Sequence, residues 1–135
     1  MKHLVLMGGI FGLLGVAIGA FGAHALKDVL TANETTATFQ TGVQYHMIHA
    51  LGLLLVGALC PHLKPNRHLR LVGWLFTVGI LLFSGSLYLL ALTNIKIFGA
   101  ITPLGGVCFL AGWFLIILTA AQSQNRGNDH DVTDY

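Results

Sequence analysis

Two histidines three residues apart, His46 and His49, stand inside an otherwise apolar stretch of this 135-residue chain. At that spacing they are neighbours on one helix face. Imidazoles there have three kinds of chemistry open to them: a hydrogen-bond network, a proton or substrate path, or a share in a metal site. Other polar side chains recur at intervals along the chain, namely His24, Gln44, Tyr45, Ser84, Ser86, Tyr88 and Thr102. The missing residues narrow the options. The apolar stretches hold no Asp or Glu, so there is no carboxylate pair for acid–base work and no acidic partner to orient a histidine. A metal would need ligands beyond two imidazoles, and His24 is the only evident third, so no metal site is expected. Ser84-Gly85-Ser86 reads as a close-packing segment rather than a nucleophile, and no phosphate-cradling glycine loop is present. Cys60 and Cys108 fit no paired-thiol spacing. No catalytic residue and no cofactor are therefore expected, and a net charge of +2 spread along the chain gives no support for nucleic-acid binding.

The elements that must position these side chains are membrane-spanning helices. Charged residues make up 9% of the chain, against about 25% in a soluble domain. Uncharged gaps of 24, 29, 25 and 29 residues separate Lys2 from Lys27, Glu34 from Lys64, Arg70 from Lys96, and Lys96 from Arg126. A spanning helix needs about 20 mostly apolar residues, so each gap holds one. A soluble bundle would need polar outer faces, which Leu71–Leu92 and Val107–Ala121 lack. The expected fold is all-α: a four-helix transmembrane bundle over residues 1–121, with helices at about Leu4–Ala25, Thr35–Leu59, Leu69–Leu92 and Thr102–Ala121. A polar flexible tail is expected over residues 122–135. Ala23-His24-Ala25 resembles a signal-peptide cleavage site, but the apolar stretch before it is longer than the usual 7–15 residues, and a retained helix is expected. Thr31 and Glu34 have capping-box spacing. Pro61 and Pro65 should end the second span, and Thr102-Pro103 should start the fourth as N-cap and first helical residue.

Orientation follows from Lys and Arg in the short loops. One side of a four-span chain holds Lys2, Lys64, Arg67, Arg70 and Arg126, and the other holds Lys27 and Lys96. Both termini are therefore expected in the cytoplasm. The polar side chains then gather between mid-membrane and the outer face, where each needs a partner. The third span carries a cluster of hydroxyls at nearby depth, so His49 is expected to bond Ser84, Ser86 or Tyr88.

Small residues set the packing. Gly8, Gly12, Gly15, Gly19 and Gly22 step by four and three residues and share one face of the first span. They predict a seam against a neighbouring helix. Gly105, Gly112 and Thr119 repeat every seven residues in the fourth span and predict a second.

The blocks Gly19-Ala20-Phe21-Gly22-Ala23-His24, Thr41–Leu51, Leu82–Tyr88, Thr102–Gly106 and Phe109–Trp113 resemble domain-of-unknown-function family 423, the YgdD/YwdK-like small inner-membrane proteins. The resemblance touches all four spans and implies a multi-pass protein of the cell (inner) membrane, without implying an activity. It also implies glutamine more often at position 46, so His46 departs from it, whereas His24 and His49 fit. The reading is an integral membrane protein serving as a structural or accessory bundle. Its expected partners are the lipid bilayer and, by self-association or otherwise, another membrane protein. A small channel or transporter using the polar layer around His49, and a lipid- or quinone-active protein, are the competing readings.

Overall fold

In hydrocarbon each backbone N–H and C=O must find its partner within the segment, which makes a helix of every apolar stretch long enough to cross. Among the described residues four helices meet that length and composition: Lys2–Ala23, Thr36–Leu59, Arg67–Thr93 and Lys96–Gln122. The computed structural model describes residues 2–60 and 67–128, with side chains as far as residue 122. In chain order the elements are α1 (Lys2–Ala23), α2 (Lys27–Ala32), α3 (Thr36–Leu59), α4 (Arg67–Gly79), a π-helical turn (Ile80–Ser84), α5 (Gly85–Thr93), a 3-10 turn (Lys96–Ala100) and α6 (Thr102–Asn128). The π turn joins α4 and α5 into one span. The protein is thus a four-helix membrane bundle, and all its described elements are helical.

Two local expectations differ from the structure. The fourth helix does not stop at Ala121 but continues to Asn128, because helix propagation is cooperative and residues 122–126 contain no proline or glycine to interrupt it. Residues 129–135 of the expected tail lie outside the described residues, as do Pro61 and Pro65. The Thr31–Glu34 spacing is not a capping box. Thr31 lies inside α2 and donates its hydroxyl to Lys27 O at 2.8 Å. Glu34 takes a left-handed φ of 57°, its N–H bonds Thr31 O, and the Thr35 N–H bonds Leu30 O. These two bonds form a Schellman motif that ends α2. The same spacing therefore closes a short helix instead of opening a long one.

α3 is the central helix. α1 lies along one side of it, α4, the π turn and α5 lie along the other, and α6 packs against α4 and the π turn. The core runs between them through Phe11, Leu53, Val56, Val72, Phe76, Ile80 and Phe109. A smaller cluster of Leu30, Phe39 and Ala91 closes the end of the bundle opposite the chain termini. At this far end Thr35 Oγ1 donates to Ala91 O at 2.7 Å, and Asn33 Nδ2 donates to Ala91 O and Leu92 O at 3.1 and 3.3 Å. Those carbonyls belong to the last turn of α5 and have no partner within their own helix.

The glycine faces decide how closely the helices approach. A methyl group at Gly8 would meet Leu54, at Gly15 Met47, at Gly19 Val43 and at Gly22 Phe39, all on α3. Gly12 belongs to the same stripe by spacing but faces open space. On α6, Gly105 sits against the Phe83 backbone nitrogen and Gly112 against the Phe76 ring. The π turn is therefore the place where α6 comes closest to its neighbour. Gly105→Ala should force these two backbones apart and lower the stability of the detergent-solubilised bundle by about 1–3 kcal/mol. Gly12→Ala should be neutral or slightly stabilising. Thermal unfolding of both variants checks this, and equal losses would contradict the assigned contacts.

Candidate functional site

Both ring nitrogens of His49 have partners within the bundle. It is buried on α3, and its ring lies flat on Phe109 of α6, with centroids 3.4 Å apart and planes 7° from parallel. Phe76 meets it edge-on at 5.0 Å. Nδ1 lies 2.8 Å from Tyr45 O, one turn back along α3. A carbonyl only accepts, so Nδ1 carries a proton. The Trp113 indole N–H donates to Nε2 at 3.1 Å. An indole N–H only donates, so Nε2 is bare. Together these two bonds specify the neutral Nδ1–H tautomer, because a second proton on Nε2 would face another donor.

The partners differ from the expected hydroxyls Ser84, Ser86 and Tyr88. A buried histidine on a helix can reach its own i−4 carbonyl, as serine and threonine do. Gly105 and Gly112 bring α6 close enough for Trp113 to complete the second bond. Sequence reasoning did not count Trp113 among the polar groups. Its signal was an indole N–H nine residues before Gln122, where the polar tail begins, and one turn beyond Phe109, which shares its helix face.

His46 makes a second, separate contact. Its Nδ1 shares a hydrogen bond with Tyr88 Oη at 3.1 Å. Tyr88 reaches it over Gly42, where a methyl group would sit 2.8 Å from the tyrosine ring. Phe11 of α1 meets the His46 ring edge-on at 5.7 Å. His46 Nε2 is buried without a well-formed hydrogen bond, its ring standing beside the Phe11 backbone. Ser84 Oγ, in the π turn, is the other buried polar atom of this region without one. Ser86 donates to Phe83 O at 2.9 Å and lies 2.8 Å from Thr102 Oγ1, which ties α5 to the first residue of α6. With its own proton given to Phe83, the Ser86 oxygen accepts from the threonine hydroxyl.

The remaining expected members stand apart. His24 is exposed in the turn after α1, and Gln44 is exposed on the opposite side of α3 from His49's partners, in a cleft shared with α1 and α2. The structure thus separates the expected layer into three pins, His49–Trp113, His46–Tyr88 and Ser86–Thr102, and leaves His24 and Gln44 outside them. Among the described residues no three His, Cys, Asp or Glu side chains come together as a metal-ligating group.

Residues 18–106 match the model of a family described as a protein of unknown function, DUF423. That segment includes both buried histidines and the Ser86–Thr102 pair, and it ends before Trp113. The chain is 48% identical over 122 residues to the UPF0382 membrane protein YwdK of Bacillus subtilis, covering 90% of this chain and 98% of that one. It is 41% identical over 119 residues to the UPF0382 membrane protein SH2409 of Staphylococcus haemolyticus, with coverages of 88% and 95%. It is 35% identical over 136 residues to the UPF0382 inner membrane protein YgdD of Escherichia coli K12, with coverages of 96% and 98%. No solved structure matches the chain significantly.

A double-mutant cycle measures the central pin. Trp113→Phe removes the donor while keeping an aromatic ring and should cost about 0.5–1.5 kcal/mol. His49→Leu should cost at least as much. If the two side chains act through one bond, their combined loss should fall short of the sum by roughly 0.5 kcal/mol or more. Additive losses in unfolding free energy would show that they do not.

Proposed function

The chain belongs to the DUF423 family, and on that premise we propose that it is a structural or accessory membrane bundle that works by association, with itself or with another membrane protein. The observation that supports this reading is the coordination of His49. Both ring nitrogens are occupied by protein groups and one ring face is stacked on Phe109, so its lone pair is not free for proton transfer, metal binding or nucleophilic attack. Large apolar side chains such as Leu13, Leu110 and Ile117 line the outer faces of α1 and α6 and offer surface to lipid or to a neighbouring helix.

The same reading sets both termini and the Cys60–Arg70 loop in the cytoplasm, on the strength of five Lys and Arg at that end against two at the other. Cysteine placed at position 33 should label from outside the cell and cysteine at position 67 should not. The reverse pattern would invert the assignment.

A second reading has a specific observation behind it. His46 Nε2 and Ser84 Oγ are polar atoms in the bundle interior without well-formed hydrogen bonds, as a path for water or protons would use. Proteoliposomes separate the two. The accessory reading expects proton leak no greater than in protein-free vesicles, together with a complex of fixed stoichiometry in native-membrane nanodiscs. A proton flux lost in His46→Leu, or a monodisperse monomer without partners, would overturn it.

A further inference from the structure

The far end of the bundle holds a cleft of about 480 Å³ between the last turns of α1, the short helix α2 and the first turns of α3. That volume lies within the range of about 300–1,000 Å³ typical of small-ligand sites. Three features make it unlike a mere groove between helices. First, its floor is apolar, formed by Leu30, Phe39 and Val43, and its α1 wall is thinned by Gly19 and Gly22. Second, Lys27 stands at it with no ion pair among the described residues. Third, Gln40 and Gln44 both line it, one turn apart on α3, and neither side chain bonds another described residue. Gln44 is eight residues into its span, or about 12 Å at roughly 1.5 Å per residue. At that depth it is beyond ready reach of bulk water, where an amide without a partner is costly.

We propose that this cleft is a glycerophospholipid site, with the lipid phosphate on the Lys27 ammonium and its ester oxygens accepting from the Gln40 and Gln44 amides. The order of groups matches the molecule. A phospholipid carries its anion at the interface, its ester oxygens just beneath and its chains below; the cleft has a cation at its mouth and amide donors inward beside Phe39 and Val43, and the exposed apolar side chains Ile48, Leu51 and Leu55 continue along α3 below Gln44. A soluble anion would use Lys27 and leave Gln44 unpartnered, so the depth of the second amide selects a lipid.

The test is native mass spectrometry of the full chain, delipidated in detergent and titrated with phosphatidylglycerol. The chain should bind one lipid saturably. Lys27→Gln and Gln44→Leu should each weaken binding about tenfold, the size of effect that follows from losing one charge-assisted or buried hydrogen bond. Trp74→Leu, on an outward face of α4 and 65% exposed, should leave affinity unchanged. Inorganic phosphate in excess should not displace the lipid. Equal affinity in all three variants, binding without saturation, or displacement by inorganic phosphate would each overturn the proposal. The side chains of Lys27 and Gln44 are exposed and bond no other described residue, so both variants should keep the parental melting temperature. Should Gln44→Leu lower it, Lys27→Gln alone decides.

Discussion

Surrounded by hydrocarbon, helices gain nothing by hiding apolar side chains from one another, since lipid chains are as apolar as leucine. What holds this bundle is the distance of approach that glycine permits. Gly8, Gly15, Gly19 and Gly22 lay α1 on α3, and Gly105 and Gly112 lay α6 on the span formed by α4, the π turn and α5. Every other feature of the interior depends on those short distances. Trp113 reaches His49 because Gly112 and Gly105 admit the helix that carries it. Tyr88 reaches His46 because Gly42 leaves room for its ring.

The polar pins follow from the same constraint. A polar atom in this environment finds a partner within the bundle or stays uncompensated. Three of the pins join different helices: α3 to α6, α3 to α5, and α5 to α6. They add little to the energy of association, since such bonds average about 0.6 kcal/mol in membranes. Their larger effect is on register, because a hydrogen bond tolerates far less sliding than an apolar contact does. The aromatic stack of His49 on Phe109 acts in the same direction. The far-end bonds from Asn33 and Thr35 to the last carbonyls of α5 close the arrangement where the spans leave the membrane.

Two regions of the molecule have different characters as a result. Between α3, α5 and α6 the polar groups are largely turned inward and satisfied, which suits a scaffold. Between α1, α2 and α3 they are turned outward, into a cleft with an unpaired lysine and two unbonded amides. A largely satisfied interior thus lies beside an open, amphipathic edge.

The number of spans and their places were legible in the sequence, because the absence of charge over some twenty residues has one physical resolution in lipid. The seam-forming glycines were legible for a related reason, since spacings of three and four confine residues to one helix face. Spacing does not say what lies opposite that face, and so it grouped Gly12 with four glycines whose contacts it does not share. Local spacing was ambiguous again at Thr31 and Glu34, where a capping box and a Schellman end place the same residues three apart and only the backbone dihedral at Glu34 separates them. Which side chains are polar, and their expected depth along each span, were legible. The partner of each was not, because depth along the membrane leaves rotation about each helix axis undetermined. That rotation is a property of all four helices packed together, and it is what turned His49 toward Trp113 and away from the hydroxyls of the third span.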